Sequence, residues 1–208
     1  MQEIQLNWSA IPAVSFNHLF EYKGKEAYYD PSFGSGLYAF VIVSKNPKNA
    51  IYYIGKSENI ASRIMDHLKK EYRNPGSGFK IPLSFENFQE NPYRVLSKNE
   101  LSGETEQFSF EKREQVCLNL IKNSYFGIAP IFTDQVKLTD VESILQFGLC
   151  ENWPEIKGKG WIGESRMSLP DGEWEIENNF LDERVEIIIG STLPRKIRLK
   201  DHILSLPQ

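Results

Sequence analysis

Cysteine is scarce in this chain: the 208 residues hold two, Cys117 and Cys150. Two thiols close at most one bridge, and no Cys or His spacing matches a zinc site. Each falls in a segment of helical pattern, which predicts buried thiols in a reducing, cytoplasmic setting. Long apolar runs are also lacking. No window reaches the ~18 apolar residues of a membrane span, so no membrane partner is expected. The opening MQEIQLNWSAIPAVSF, with an acidic residue and broken apolar character, does not read as a secretory leader. There is no excess of positive charge either, because 24 Lys and Arg stand against 28 Asp and Glu, a net charge of −4. A protein that grips a phosphate backbone usually carries a basic footprint. Internal repeats and low-complexity tracts are absent, which excludes solenoids and fibrous classes.

What is present suits an ordinary folded domain. Hydrophobic residues make up 40% and aromatic residues 12%, enough for a real core. The charge is unevenly spread. Residues 171–186 carry Asp171, Glu173, Glu175, Glu177, Asp182, Glu183 and Glu186 against Arg184 alone, whereas 195–201 carry Arg195, Lys196, Arg198 and Lys200 against Asp201. The second group reads as a solvated edge or a contact for DNA.

Residues 1–33 give no clear pattern. From Gly36, the β-branched and aromatic run Leu37–Val43 predicts a largely buried strand, and Ala50–Gly55 the returning strand of a hairpin. A helix follows, capped by Ser57 or Asn59, with Ile60, Ile64 and Leu68 along its packing face. Arg63, His67 and Lys70 share another face, expected to point outward. Residues 74–103 are dense in Pro and Gly and read as an irregular insertion. Glu111–Lys122 has helical character, with Val116, Leu120 and Cys117 inward. Tyr125–Phe132 reads as a third strand, placed near an edge by Gly127 and Pro130. A second helix opens at Thr139, with Val141, Ile144, Leu145 and Leu149 inward, and strands are expected at Trp174–Glu177 and Val185–Ile189. Hairpins with helices predict α+β.

Phosphodiester hydrolysis needs a base for water, a cation on the phosphate, a donor for developing charge and help for the leaving oxygen. Tyr38 and Tyr53 on adjacent strands, Arg63 and His67 one helical turn apart, and Glu142 on a later helix supply such groups. Gly36-Leu37-Tyr38 followed by Tyr53-Ile54-Gly55, then Lys56 and a helix bearing Arg63, resembles the GIY-YIG nuclease family across about residues 34–154. The first motif departs mildly, with Leu37 between Gly36 and the tyrosine. The resemblance implies a three-stranded antiparallel sheet flanked by helices, with an N-terminal segment (1–33), an insertion and a C-terminal extension (155–208), all in one nuclease domain. It also implies a metal-dependent DNA endonuclease in which Tyr38, Tyr53, Arg63, His67 and Glu142 are catalytic and Glu142 holds one Mg²⁺ or Mn²⁺. Asn152 is the nearest candidate for the family's downstream asparagine, although it sits close to Glu142 for that role. A stand-alone chain resembles the restriction-type members, which act on double-stranded DNA and commonly as homodimers.

Lys56, Lys70 and the loop Lys157-Gly158-Lys159-Gly160-Trp161-Ile162-Gly163 are candidate DNA contacts. Tyr52, pointing to the opposite face from Tyr53, is a packing residue. Glu142 also has a structural reading, because Thr139-Asp140-Val141-Glu142 fits a capping box that would satisfy backbone donors at a helix start. Asp134 and Asp140 are the fallback ligands. Two other classes stay open: a non-cleaving nucleic-acid-binding module or a repair or recombination nuclease on the same core, and an unrelated α+β enzyme whose small substrate would need a closed pocket.

Overall fold

The N-terminal eleven-residue stretch alternates exposed Glu3, Gln5 and Asn7 with buried Ile4, Leu6 and Trp8, the period of a strand with one wet face. In the computed structural model this stretch is β1 (Gln2–Pro12). It is followed by β2 (Gly36–Ile42), β3 (Ala50–Ser57), α1 (Ile60–Arg73), β4 (Ser124–Pro130), α2 (Leu138–Asn152) and β5 (Trp174–Phe180). Next comes α3, an α-helical turn Glu183–Val185 that widens into a π-helical turn Glu186–Gly190, and then β6 (Lys196–Lys200) and β7 (Ile203–Ser205). The structure describes residues 1–15, 33–43, 50–73, 121–132, 136–154 and 168–207, with positions 111, 115 and 118 besides. The expected insertion at 74–103, the helix interior with Val116, Cys117 and Leu120, and the Lys157–Gly163 loop lie outside the described residues, as does the side chain of Tyr52. No helix among the described residues is long and apolar enough to cross a membrane.

The expectation of a three-stranded antiparallel sheet flanked by helices is corrected. A seven-stranded mixed sheet runs β3-β2-β4-β1-β5-β6-β7 and curls along its length. The β3-β2-β4 ladder is antiparallel, but β1 extends it. Ser9–Pro12 pair antiparallel with β4, and Gln2–Trp8 pair parallel with β5. The two ends of the chain are thus hydrogen-bonded neighbours, a long-range pairing that no local pattern encodes. Expected near an edge, β4 instead lies inside the sheet between β2 and β1. Pro130 is tolerated because it closes the strand, and a side chain at Gly127 would run into Ile189 and Trp8. The segment Val185–Ile189, expected as a strand, is helical: Asp182 caps it by accepting from the Val185 N–H at 2.8 Å, and Val185, Ile188 and Ile189 pack inward. Packing thereby overrides the β preference of three successive isoleucines.

All of β2 is buried, as a strand covered on both faces must be. His67 of α1 meets Tyr38 on one face. On the opposite face, the neighbourhood of Gly127 brings Ala39 together with Trp8 and Ile189 of α3, and α2 approaches Ile197 so closely that only Gly148 fits. Helices α1 and α2 therefore cover opposite faces, and edge strand β3 lies between them. The parallel pairing is tied by Asn178, which accepts from the Trp8 indole at 2.8 Å and donates to the Pro194 carbonyl at 2.6 Å while buried. Replacing Asn178 by Leu strands both partners, and we expect a loss of about 3 kcal/mol in urea unfolding.

The acidic and basic runs of the C-terminal segment neutralise each other. Lys196 and Arg198 both bond Glu175, Lys200 lies 3.4 Å from Glu173, and Arg195 bonds Glu186. As a DNA contact the 195–200 cluster is poorly suited, because its cations are already engaged across the β5–β6 ladder.

Candidate active site

Alternation along a strand decides which residues can reach one another. Tyr38 is directly opposite Gly55 in the β2–β3 ladder, and Tyr53 lies two residues before Gly55 on the same face. The glycine makes room for both rings: a Cβ there would stand 2.7 Å from both Cζ and the hydroxyl of Tyr38 and would collide with the Tyr53 ring. The ring centroids of Tyr38 and Tyr53 are 5.7 Å apart, and the His67 ring lies 5.8 Å from the first and 5.3 Å from the second. Gly55→Ala must push one phenol aside. The expected result is a loss of about 2–3 kcal/mol in chemical denaturation, with altered aromatic ring signals in the NMR spectrum.

Helix α1 is fixed at its start by Asn59, whose side chain accepts from the Ser62 N–H at 2.9 Å, as expected of a cap. Ile60, Ile64 and Leu68 are fully buried, which turns the next face along the helix toward the tyrosines. His67 was expected to point outward but is only 8% exposed. Its Nε2 is 2.9 Å from the Tyr38 hydroxyl, because α1 covers the sheet face on which Tyr38 stands. Arg63, half-buried one turn earlier, hydrogen-bonds both phenols.

Glu142 arrives from the other side of the sheet. The capping box does not form: the N-cap of α2 is Lys137, without a side-chain cap bond, so Glu142 lies in the second turn. It is 6% exposed, and its carboxylate accepts the backbone N–H of Lys56. One turn on, Gln146 is 3% exposed and donates Nε2 to the Ile54 carbonyl at 2.9 Å. The Ile54 C=O and the Lys56 N–H point off the free edge of β3, since groups two residues apart face the same way. Two helical side chains at i and i+4 thus occupy an edge that would otherwise be open to another strand.

Electrostatics define what each group can do. Burial, then the neighbouring Tyr53, push the Tyr38 phenol well above its ordinary 10, more than Arg63 offsets. Burial works against the Arg63 cation, but its bonds to Tyr38 and Tyr53 outweigh that and hold its proton more tightly. Burial also lifts the Glu142 carboxyl to about 7, against the pull of Lys56 and Arg63. A guanidinium, two phenols, an imidazole and a carboxylate that lacks full compensation are thereby gathered at the β3 edge.

The structure therefore brings together Tyr38, Tyr53, Arg63 and His67 on one face, while Glu142 reaches the β3 edge from the other face, where it meets the Lys56 N–H and feels the charge of Arg63; the Lys56 side chain is exposed. Asn152 is not among them. It sits ten residues past Glu142, about 15 Å along the helix, and its amide donates to the Thr192 carbonyl at 2.5 Å. Asp140 is half-buried in the first turn of α2. Lys70 is in α1, but its side chain lies outside the described residues, as do Asp134, Lys157 and Lys159. Gln146 was missed by sequence reasoning, although a polar residue four after Glu142 inside the apolar stripe of α2 is a readable signal. No protein-family model matches the chain, and neither a curated protein nor a solved structure matches it.

Proposed function

We propose that the chain is a GIY-YIG-type endonuclease: a divalent-metal-dependent hydrolase of DNA phosphodiester bonds, of the restriction type, acting in the cytoplasm on double-stranded DNA as a homodimer. The observation that supports this reading most is the meeting of Arg63, the Tyr38–His67 pair and Tyr53 beside the sheet edge that Glu142 reaches from the other face, within range of the Arg63 charge.

Among the described residues no three acidic, imidazole or thiol groups gather as a metal cage. A single buried carboxylate fits Mg²⁺ or Mn²⁺ nonetheless, because such ions keep most of their waters and take further oxygens from substrate phosphate. Glu142 would hold the ion through the lone pairs that the Lys56 N–H leaves free, and the bound ion supplies charge on the phosphate oxygen. Arg63 faces the same oxygen charge with a fork of donors that stays protonated. Burial pushes the Tyr38 phenol well above its ordinary value, so Tyr38 keeps its proton and orients water rather than deprotonating it. Its hydroxyl is hydrogen-bonded to His67 Nε2, and the pair together positions the water. Tyr53, half-buried beside it, orients the phosphate or water, and the exposed Lys56 meets the backbone of the DNA.

Supercoiled plasmid incubated with Mg²⁺ tests this. Conversion to open-circular and linear forms, stopped by EDTA, is the expected result. Retention of DNA without any nicking under Mg²⁺ or Mn²⁺ identifies a non-catalytic binding module instead.

A further inference from the structure

Gln146 is the least explained polar group near the cluster. Its Nε2 is spent on the Ile54 carbonyl, while its Oε1 is fully buried and has no hydrogen-bond partner among the described residues. An orphaned buried acceptor costs roughly 1–3 kcal/mol, and a leucine or methionine would fill the same space without that cost. What the amide supplies in exchange is its N–H to the Ile54 carbonyl, a donor that neither of those side chains has. Gln146 stands one turn beyond Glu142, on the same side of α2, and both side chains reach the same edge of β3.

On the reading of the site as a metal-dependent nuclease, we infer that Gln146 is a positioning residue for the cation. Its amide N–H clamps α2 to the edge of β3 and so fixes where the Glu142 carboxylate stands. Groups that act on a metal through its ligands or waters typically alter affinity by about 10–100-fold. Gln146 should therefore set the affinity for Mg²⁺ without touching DNA.

The test is a Mg²⁺ titration of the rise in melting temperature without DNA, on wild type, Gln146→Leu and Gln146→Met, each against its own metal-free value. Nicking rates and DNA affinity are measured beside it. The expected result is a Mg²⁺ midpoint raised about tenfold in both variants, in the thermal and the nicking titrations alike, with DNA affinity within about twofold of wild type. Wild-type midpoints in the variants overturn the inference while leaving the nuclease intact. Failure of both variants to fold also overturns it, since the residue is then structural only. Wild type that neither nicks nor responds to Mg²⁺ overturns the nuclease reading and the inference together.

Discussion

Glu142→Gln is expected to make the protein more stable above pH 7 and to abolish cleavage. The carboxyl moves from 4.5 to about 7 on folding because it is buried. Below 4.5 it is protonated in folded and unfolded chains alike and has no effect on stability. Between the two values the folded chain keeps a proton that the unfolded chain releases, so stability falls as pH rises. Above about 7 the whole penalty applies, on the order of 3 kcal/mol. Glutamine can still accept from the Lys56 N–H but cannot ionise, so the variant should lack this slope and gain about 2–3 kcal/mol at pH 8. Urea unfolding at pH 5 and pH 8 measures both effects. Bound Mg²⁺ should have the opposite influence on wild type, stabilising it at pH 8, and should do nothing to the variant. Equal slopes in the two proteins would remove the buried carboxylate from the account. A buried carboxylate that lowers stability at neutral pH is the kind of group for which function is the simplest explanation.

Arg63→Ala should reduce the cleavage rate by about 10²–10³, the usual effect of removing one donor aimed at developing charge. It also leaves the Tyr38 and Tyr53 hydroxyls without their shared cation. DNA affinity should fall far less, because Arg63 is one half-buried group among the contacts a duplex makes. Arg63→Lys keeps the charge but not the planar fork, and we expect it to recover only part of the rate. Single-turnover cleavage with saturating protein separates rate from affinity. A loss of affinity with an unchanged single-turnover rate would make Arg63 a binding group and take it out of the reaction.

The legible parts of this fold are those whose partners lie nearby in the chain. The β2–β3 hairpin, the Asn59 cap and the Ile60–Ile64–Leu68 stripe all follow from local spacing, and they carry Tyr38, Tyr53 and Arg63 with them. β1 was readable in its alternation, Ile4, Leu6 and Trp8 against Glu3, Gln5 and Asn7, but its parallel partner begins at Trp174. No turn signal announces a pairing across that much chain. That omission turned a seven-stranded sheet into an expected three. A shorter separation, 21 and 23 residues, hid the pairing of Lys196 and Arg198 with Glu175, which leaves these two cations engaged rather than open. His67 was misplaced for a subtler reason. The face it occupies on α1 is polar by composition, yet that face lies over a buried phenol and is wet only toward Arg63. For Glu142 the sequence offered a cap, whereas the helix starts earlier, at Leu138. The carboxylate is thereby free to close the sheet edge, a contact that exists only after α2 and β3 have come together.

If Glu142 holds the divalent ion proposed above, substoichiometric Mn²⁺ reports it through the histidine ring signals in the NMR spectrum. His67 sits in the cluster, whereas His202 is on the hairpin at the far end of the sheet, 3.5 Å from Asp171. The His67 ring should broaden first in wild type, and the effect should disappear in Glu142→Gln. Equal broadening of the two rings, or the same broadening of His67 in the variant, would contradict it.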